Sequence, residues 1–368
     1  MNSSDRKFEN ELCKVGVLRL FLCSPIHFKR SFSLYLFGIF CLSLLTLLAL
    51  LQLFRRFVFF VGFGQVPCAE MKLSTLLGNE EDCQGLQHRL WRLVPQQTQD
   101  IIATGILLIF LPLWYFLHFF VILPTWYPAF GEAWVIRAVP YAFFIFNIYI
   151  NWSFMVYHGP NGRNTVLPNV VTPGFKFCHH CQTNAPPRSH HCPVCNVCIL
   201  KRDHHNSFGG VCVGHFNHRY FIAAILHFWL ISLIFLSYSI SFVSLQLEGG
   251  ITVGRLWQIF IPHVAFAFRF LTLHQFVCVL MMAFNMTILA FATYLVSAQA
   301  FCLWRGQTRV EYLMDIHAFN LGLLENIRQT CGSRWFLIAI SPVIPSPLPS
   351  NGLSFHSKEY AREATKSL

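Results

Sequence analysis

The feature that most constrains the fold is a series of long apolar runs. Predominantly apolar runs occupy residues 33–54, 101–123, 134–157, 221–245 and 276–303, the third of which carries Arg137 near its start. Each is long enough to cross a bilayer as a helix, which takes about 20 apolar residues. Inside a bilayer the backbone N–H and C=O groups find partners only in helices or closed barrels. The runs therefore predict an α-helical polytopic membrane protein.

The composition supports this prediction. Only 12% of the residues are charged, whereas a soluble domain carries about 25%, so much of the surface must face lipid. The formal charge is +11, which is typical of Lys and Arg near helix ends facing anionic lipid headgroups. Nucleic-acid binding needs a basic face, and the chain has no basic stripe with spaced aromatic residues. We expect membrane lipid as a partner, and no nucleic acid.

A further apolar segment at 256–273 differs from the others because Pro262, His263 and Arg269 interrupt it. A charge at the bilayer centre costs at least about 2.5–3.5 kcal/mol. We therefore predict that this segment is interfacial or re-entrant and does not span. Two spans then separate the polar region 158–218 from the C-terminal region, which places both on the same face of the membrane.

The polar region contains the densest chemistry of the chain, with six of its 14 cysteines between residues 178 and 212. They occur as Cys178-x2-Cys181, Cys192-x2-Cys195-x2-Cys198 and a single Cys212, with His190, His191, His204 and His205 between them. A two-residue gap lets two thiolates bind one ion, and tetrahedral zinc takes four N or S ligands. Six cysteines and two histidines would complete two closed sites, although spacing does not choose between neighbouring histidines. Metal thiolates also indicate a reducing, cytosol-facing compartment.

A zinc ion with four protein ligands has no open position, so such sites are structural. Any chemistry must come from residues beside the metal. Asp203 and His204 are candidates, since a carboxylate can orient an imidazole that takes a proton from an adjacent thiol.

The segments "PPRSHHCPVCNVCILKRDHH" and "CVGHFNHRYF" resemble the cysteine-rich domain of the DHHC family of protein S-acyltransferases (palmitoyltransferases). The resemblance implies four core transmembrane helices, two before and two after a cytosolic zinc domain, at 101–123, 134–157, 221–245 and 276–303. The run at 33–54 is then an extra N-terminal helix. The implied domains are an extension at 1–100, core helices at 101–157, the zinc domain at 158–218, core helices at 219–303 and a cytosolic C-terminal region at 304–368.

The resemblance also implies a ligand set for two zinc ions. One ion would be held by Cys178, Cys181, His191 and Cys198, and the other by Cys192, Cys195, His205 and Cys212. Asp203 and His204 match the pair that activates the family's nucleophile. Acyl-coenzyme A (palmitoyl-CoA) is the implied acyl donor, although no residue is assigned to its binding.

The nucleophile itself is missing. The family motif ends in a cysteine that attacks acyl-coenzyme A and holds the fatty acid as a thioester, and this chain has Asn206 there. A carboxamide nitrogen has no usable pKa and cannot be made a nucleophile by a base. We therefore expect a pseudoenzyme: a member of the palmitoyltransferase family with lost or impaired catalysis. Other family marks are partial, at Thr308, Glu311, Asn326 and Trp335.

Three alternatives to a pseudoenzyme remain open. Ser207 is adjacent and would make the chain an active acyltransferase with a displaced nucleophile, forming an oxygen ester. A mis-assembled sequence would hide a normal enzyme. A zinc-stabilised binding or adaptor protein would use no acyl donor.

The resemblance also bears on partners and location. It implies protein substrates with a cysteine near the bilayer, and an active family member is a further expected partner. Location in the endoplasmic reticulum or Golgi, or in the plasma membrane, is expected, with the zinc domain facing the cytosol.

Overall fold

The fold is known from a computed structural model that describes residues 95, 97–162 and 174–357. Four of its helices are long and apolar enough to cross a membrane: α1 (Thr98–Thr125), α2 (Glu132–His158), α3 (His218–Gln246) and α6 (Leu273–Arg305). They confirm the predicted four-helix membrane core. The predicted helix at 33–54 lies outside the described residues.

Helix α1 is the least regular of the four. It contains two π-helical turns, Ile106–Phe110 and His118–Ile122, and it ends in the 3-10 turn Leu123–Thr125. Pro112 follows the first π turn. Because proline has no N–H to donate, it breaks the regular hydrogen-bond ladder, and a π turn is one way in which a helix adjusts.

Helix α3 packs along both α2 and α6. The core of the bundle includes Trp114, Tyr141 and Phe235, which are all at least 94% buried. Apolar residues on the outer side of α2, such as Ile136 and Val139, are exposed. Helices that are apolar both inside and outside suit a lipid solvent.

A polar cluster centred on Asn285 crosses the middle of this bundle. Its Oδ1 accepts a hydrogen bond from Trp114 Nε1 (2.8 Å), and its Nδ2 lies 2.5 Å from Ser239 Oγ and 3.2 Å from His118 Nε2. The amide therefore joins α1, α3 and α6. Polar side chains that satisfy one another in this way add to helix association in a membrane.

The connection between α3 and α6 holds the 3-10 turn Val253–Arg255 and two short helices, α4 (Leu256–Phe260) and α5 (Pro262–Ala267). None has the length of a span. Phe268 is 72% exposed here. Short helices with exposed aromatic residues fit an interfacial segment, and this placement stays a prediction.

The cysteine-rich region between α2 and α3 consists of six strands of three residues each. They form three antiparallel hairpins. The strands are β1 (Lys176–Cys178), β2 (Thr183–Ala185), β3 (His190–Cys192), β4 (Val197–Ile199), β5 (His204–Asn206) and β6 (Val211–Val213). Isolated hairpins of this size are not stable in water, so other interactions must hold the region together.

The C-terminal part after α6 folds back onto the cysteine-rich region. It contains α7 (Arg309–Leu313), α8 (Leu323–Cys331) and the 3-10 turn Trp335–Leu337. The Lys201 amine donates to Gln329 O (3.0 Å) on α8. The cysteine-rich region and the C-terminal part thus pack together as one assembly beside the membrane helices.

Candidate metal centres and the Asp203–Asn206 site

Two groups of four side chains in the cysteine-rich region have metal-binding geometry. Within each group the ligand atoms all lie within 4.8 Å of one another. The first group is Cys178, Cys181, His191 and Cys198, and the second is Cys192, Cys195, His205 and Cys212. Each could hold a metal ion. The partition is the one that the family resemblance implies, and the role of these residues as ligands stays a prediction.

Strand pairing explains how the two groups interleave. In the β3–β4 hairpin His191 lies opposite Cys198, and in the β5–β6 hairpin His205 lies opposite Cys212. Side chains alternate between the two faces of a strand. Cys192, next to His191, therefore points to the other face of β3 and joins the second group. One hairpin supplies both centres.

The same alternation separates His191 from His190, which spacing could not do. His190 lies outside both groups, and burial lowers the pKa of its imidazole.

Tight turns bring the paired cysteines together. The backbone N–H groups of Cys181 and Cys195 each lie 3.5 Å from the sulfur of the cysteine three residues earlier. Gln182 and Asn196, the residues after these turns, both have φ of 51°. Asparagine tolerates this left-handed conformation better than most residues. N–H groups aimed at sulfur favour its thiolate form.

The second centre has a neighbour that the sequence analysis missed. Asp100 Oδ2 lies 2.9 Å from His205 Nε2, 105 residues away in the chain. Asp100 is buried in the first turn of α1, whereas the sequence placed it in the extension, just before the span that begins at 101. Its charge beside an apolar run was the available signal.

Asp203 is fixed on both oxygens. Oδ2 lies 2.8 Å from His204 Nδ1 and accepts from Gln299 Nε2 (2.9 Å), while Oδ1 accepts from the backbone N–H of Arg309 (2.8 Å). Burial would raise the pKa of this carboxyl, but His218, His204 and the Arg309 N–H hold it well below its usual range. Asp203 is therefore a fixed anion that joins the motif to α6 and α7.

His204 is oriented by Asp203 and by Phe221, whose ring packs edge-on at 4.8 Å. Its side chain is 22% exposed. Since Nδ1 faces the carboxylate, Nε2 is the nitrogen available for proton transfer. The arrangement suits a general base.

Asn206, the last residue of β5, is 8% exposed. Its Oδ1 accepts from the backbone N–H of Phe208 (3.2 Å), and its Nδ2 donates to Met155 Sδ (3.4 Å). The carboxamide is thus part of the local turn and of the contact with α2.

Beside this site lies a polar cavity between the cysteine-rich region, α6 and α8. Its lining residues are Arg188, Lys201, His218, Gln299, Cys302, Leu303, Gly306, Gln307, Phe319, Asn326, Gln329 and Thr330. Lys201 Nζ donates to Thr330 Oγ1 (2.9 Å) as well as to Gln329 O. Burial, followed by the charge of Arg188, lowers the pKa of Lys201 from 10.5 to about 7. No pattern in the sequence indicates this cavity.

The partial family marks after α6 have defined contacts. Glu311 forms a two-point ion pair with Arg188 (2.6 and 2.7 Å) and caps α7 together with Thr308. Asn326 Nδ2 donates to Leu303 O at the end of α6 (3.0 Å). Trp335 begins the last 3-10 turn and is partly buried. Thr308, Glu311 and Asn326 thus help to hold the C-terminal part against the cysteine-rich region and the end of α6.

Comparisons with known proteins find similarity in the same cysteine-rich and C-terminal regions. Residues 171–316 match the sequence profile described as DHHC palmitoyltransferase. Over 222 residues the chain is 31% identical to a rat protein named "Probable palmitoyltransferase ZDHHC24", covering 59% of this chain and 76% of the relative. The chain belongs to the DHHC palmitoyltransferase family. The zebrafish protein of the same name is 34% identical over 224 residues, which are 58% of this chain and 72% of the relative.

Membership agrees with the architecture. A DHHC family member is expected to combine membrane helices with a cysteine-rich, metal-binding region, and this chain has four membrane-capable helices and two candidate metal centres. The protein is therefore an integral membrane member of this palmitoyltransferase family.

Proposed function

We propose that this DHHC family protein binds a fatty acyl donor of the coenzyme A type but has lost, or nearly lost, the acyl-enzyme step. The observation that carries the proposal is Asn206 at the position of the motif cysteine, buried and hydrogen-bonded through its carboxamide. The acyl-enzyme step requires a thiolate that attacks the thioester carbonyl. An amide nitrogen, whose lone pair is delocalised, does not form that bond.

The intact Asp203–His204 pair supports the proposal that the site lacks its nucleophile but keeps the residues that would activate one. The 2.8 Å contact between them sets the imidazole in the tautomer that leaves Nε2 as the base. A cysteine restored at position 206 would follow His204 by two residues on the same face of β5. The base and the restored thiol would then lie on one side of the hairpin.

Ser207 is a poorer nucleophile for this site. It follows the end of β5, so its side chain leaves the face that His204 and Asn206 share. Its carbonyl accepts a hydrogen bond from Thr104 Oγ1 (3.4 Å).

We assign zinc to both candidate centres. Three sulfurs and one imidazole nitrogen, all within 4.8 Å of one another, are a donor set that zinc takes in closed structural sites. The fit supports two structural ions that hold the hairpins together. When bound, each ion supplies folding energy, and the residues of the Asp203–Asn206 site stand beside it.

The remaining assignments rest on the family. The cysteine-rich region would face the cytosol, where thiolates stay reduced, and the membrane would be that of the endoplasmic reticulum, Golgi or cell surface. Protein substrates with a cysteine near the bilayer, or an active family member, are the proposed partners.

Acyl labelling of the purified protein tests the proposal. Wild type, Asn206→Cys and the double variant Asn206→Cys/His204→Ala are incubated with a fatty acyl-CoA that carries a detectable chain. We expect no hydroxylamine-sensitive label on wild type, clear label on Asn206→Cys and strongly reduced label on the double variant. Robust thioester label on wild type would overturn the proposal. Hydroxylamine-resistant label lost in Ser207→Ala would favour the displaced nucleophile.

A further inference from the structure

The two ring nitrogens of His205 face different partners. Nδ1 points into the second candidate centre, 3.4 Å from Cys195 Sγ, 3.7 Å from Cys212 Sγ and 4.0 Å from Cys192 Sγ. Nε2 points the opposite way, toward Asp100 Oδ2 at 2.9 Å. A neutral imidazole offers a lone pair on one nitrogen only when the proton sits on the other. An acceptor at Nε2 therefore frees Nδ1 for the metal.

The surroundings of Asp100 favour this contact with His205. It is 3% exposed, and burying a carboxylate is costly unless it is paired. The ion pair that the structure gives it, among the described residues, is the one with His205. Its place in the first turn of α1 adds the favourable field of a helix N-terminus.

The start of α1 and the nearby residue Pro95, which precedes the helix, also touch the β5–β6 hairpin. Thr104 Oγ1 lies 3.4 Å from Ser207 O, and a Cβ added to Gly210 would come within 2.8 Å of the Pro95 ring. The hairpin carries His205 and the motif position 206. The hairpin is thus in contact with the chain on both sides of Asp100, with Pro95 before the membrane helix and with Thr104 within it.

We propose that Asp100 is the outer carboxylate of the second metal centre: a positioning residue that orients His205 toward the ion and ties the centre to membrane helix α1. Carboxylates that accept from the far nitrogen of a metal-bound histidine fix its tautomer and raise its basicity. Their loss typically lowers metal affinity about 10–100-fold.

The first centre provides an internal comparison. His191 Nδ1 lies 3.2 Å from Cys181 Sγ, and its ring stacks on His180 at 4.7 Å. Among the hydrogen bonds and ion pairs of the described residues, none joins His191 to a carboxylate. The proposed role of Asp100 is therefore specific to one of the two centres.

Zinc release from the purified full-length protein tests this. Wild type, Asp100→Leu, Asp100→Asn and Thr104→Val are first checked for metal content, and release to a chromogenic chelator is then followed. We expect Asp100→Leu to release one of its two zinc ions about 10–100-fold faster than wild type. Asp100→Asn keeps an oxygen acceptor and should fall between the two. Thr104→Val, which alters the helix contact without removing the carboxylate, should match wild type.

Cysteine alkylation read by mass spectrometry assigns the labile ion. In Asp100→Leu the cysteines of the second centre, Cys192, Cys195 and Cys212, should react early, and those of the first centre, Cys178, Cys181 and Cys198, should react at the wild-type rate. Equal release of both ions, or release unchanged from wild type, would refute the proposal. So would a protein that holds no metal, or a Thr104→Val variant as labile as Asp100→Leu. If Asp100→Leu does not fold, Asp100→Asn carries the same test. None of these outcomes depends on acyl transfer.

Discussion

The ion pair between Arg188 and Glu311 joins residues 123 positions apart in the chain. Both side chains are nearly inaccessible, with 4% and 1% exposure. Removing one partner leaves a buried charge unpaired, which typically costs about 3–5 kcal/mol. We therefore predict that Arg188→Met or Glu311→Gln lowers the thermal midpoint of the detergent-solubilised protein by several degrees.

The double variant Arg188→Met/Glu311→Leu tests whether the loss of stability comes from the charge that is left unpaired or from other contacts of these two side chains. Replacing both charges with apolar side chains is often nearly neutral, so the double variant should be more stable than Arg188→Met. The same loss in both would show that the charge left unpaired is not the cause.

The buried amine of Lys201 leads us to predict that the stability of the folded protein depends on pH. Its pKa in the folded protein is about 7, against 10.5 when it is free of the fold. Between these values the unfolded chain binds the extra proton, so raising the pH stabilises the folded protein by up to about 1.4 kcal/mol per pH unit. Thermal midpoints of wild type and Lys201→Met, measured from pH 7 to 9 with zinc present, check this. The stability of wild type relative to Lys201→Met should rise with pH, and a constant difference would contradict the assignment.

The residues of the site were predictable to different degrees. The six candidate cysteine ligands stand in short-range spacings that the sequence displays directly, whereas the choice of His191 and His205 as ligands, and the roles of Asp203, His204 and position 206, come from the family resemblance. Asp100 and Gln299 meet the same site from 105 and 96 positions away. No local sequence pattern predicts such contacts, because they form only when the helices pack against the cysteine-rich region.

At the scale of the elements, the hairpins of the cysteine-rich region are too small to fold alone. Structural zinc in isolated zinc-binding peptides contributes about 10–16 kcal/mol. We predict that stripping the metal unfolds this region while the membrane helices persist. Trypsin should then cut at Arg188 and Lys201, which are buried in the folded protein.

Two controls accompany the chelator experiment. Arg328 on α8 has a half-exposed side chain, so its cleavage should depend less on the metal. Re-adding zinc should restore protection at Lys201. Protection that survives complete metal removal would mean that packing against α6 and α8 suffices.

The elements also show which patterns carry structural information. The four spans follow from apolar runs, but the first begins at Thr98 in the structure, with Asp100 buried against His205 in its first turn. The three-residue strands have no period long enough to predict them. Their positions follow from the ligands, since His191 pairs with Cys198 and His205 with Cys212 across the hairpins.

At the scale of the whole molecule, the cysteine-rich region and the C-terminal part touch directly. Arg309 N–H donates to Asp203, Arg188 pairs with Glu311, and Lys201 donates to Gln329. Regions in such contact lie on one face of a membrane. We predict that helices α3 and α6, which are long and apolar enough to cross a membrane, supply two crossings between them, an even number. The connection through α4 and α5 is then predicted to lie at the opposite face.

Glycosylation mapping tests this arrangement. An Asn-Ser-Thr acceptor in a flexible Gly/Ser segment is inserted after Gly250, between α3 and α4, or after Asp315, whose side chain is 90% exposed between α7 and α8. Chains made with microsomes are compared with wild type, because Asn2-Ser3-Ser4 is itself an acceptor sequence. A cytosolic cysteine-rich region predicts an added glycan after Gly250 and none after Asp315. Glycans at Asp315 alone would reverse the orientation, and glycans at both would contradict the two-crossing arrangement, because an even number of crossings returns the chain to the face that it left.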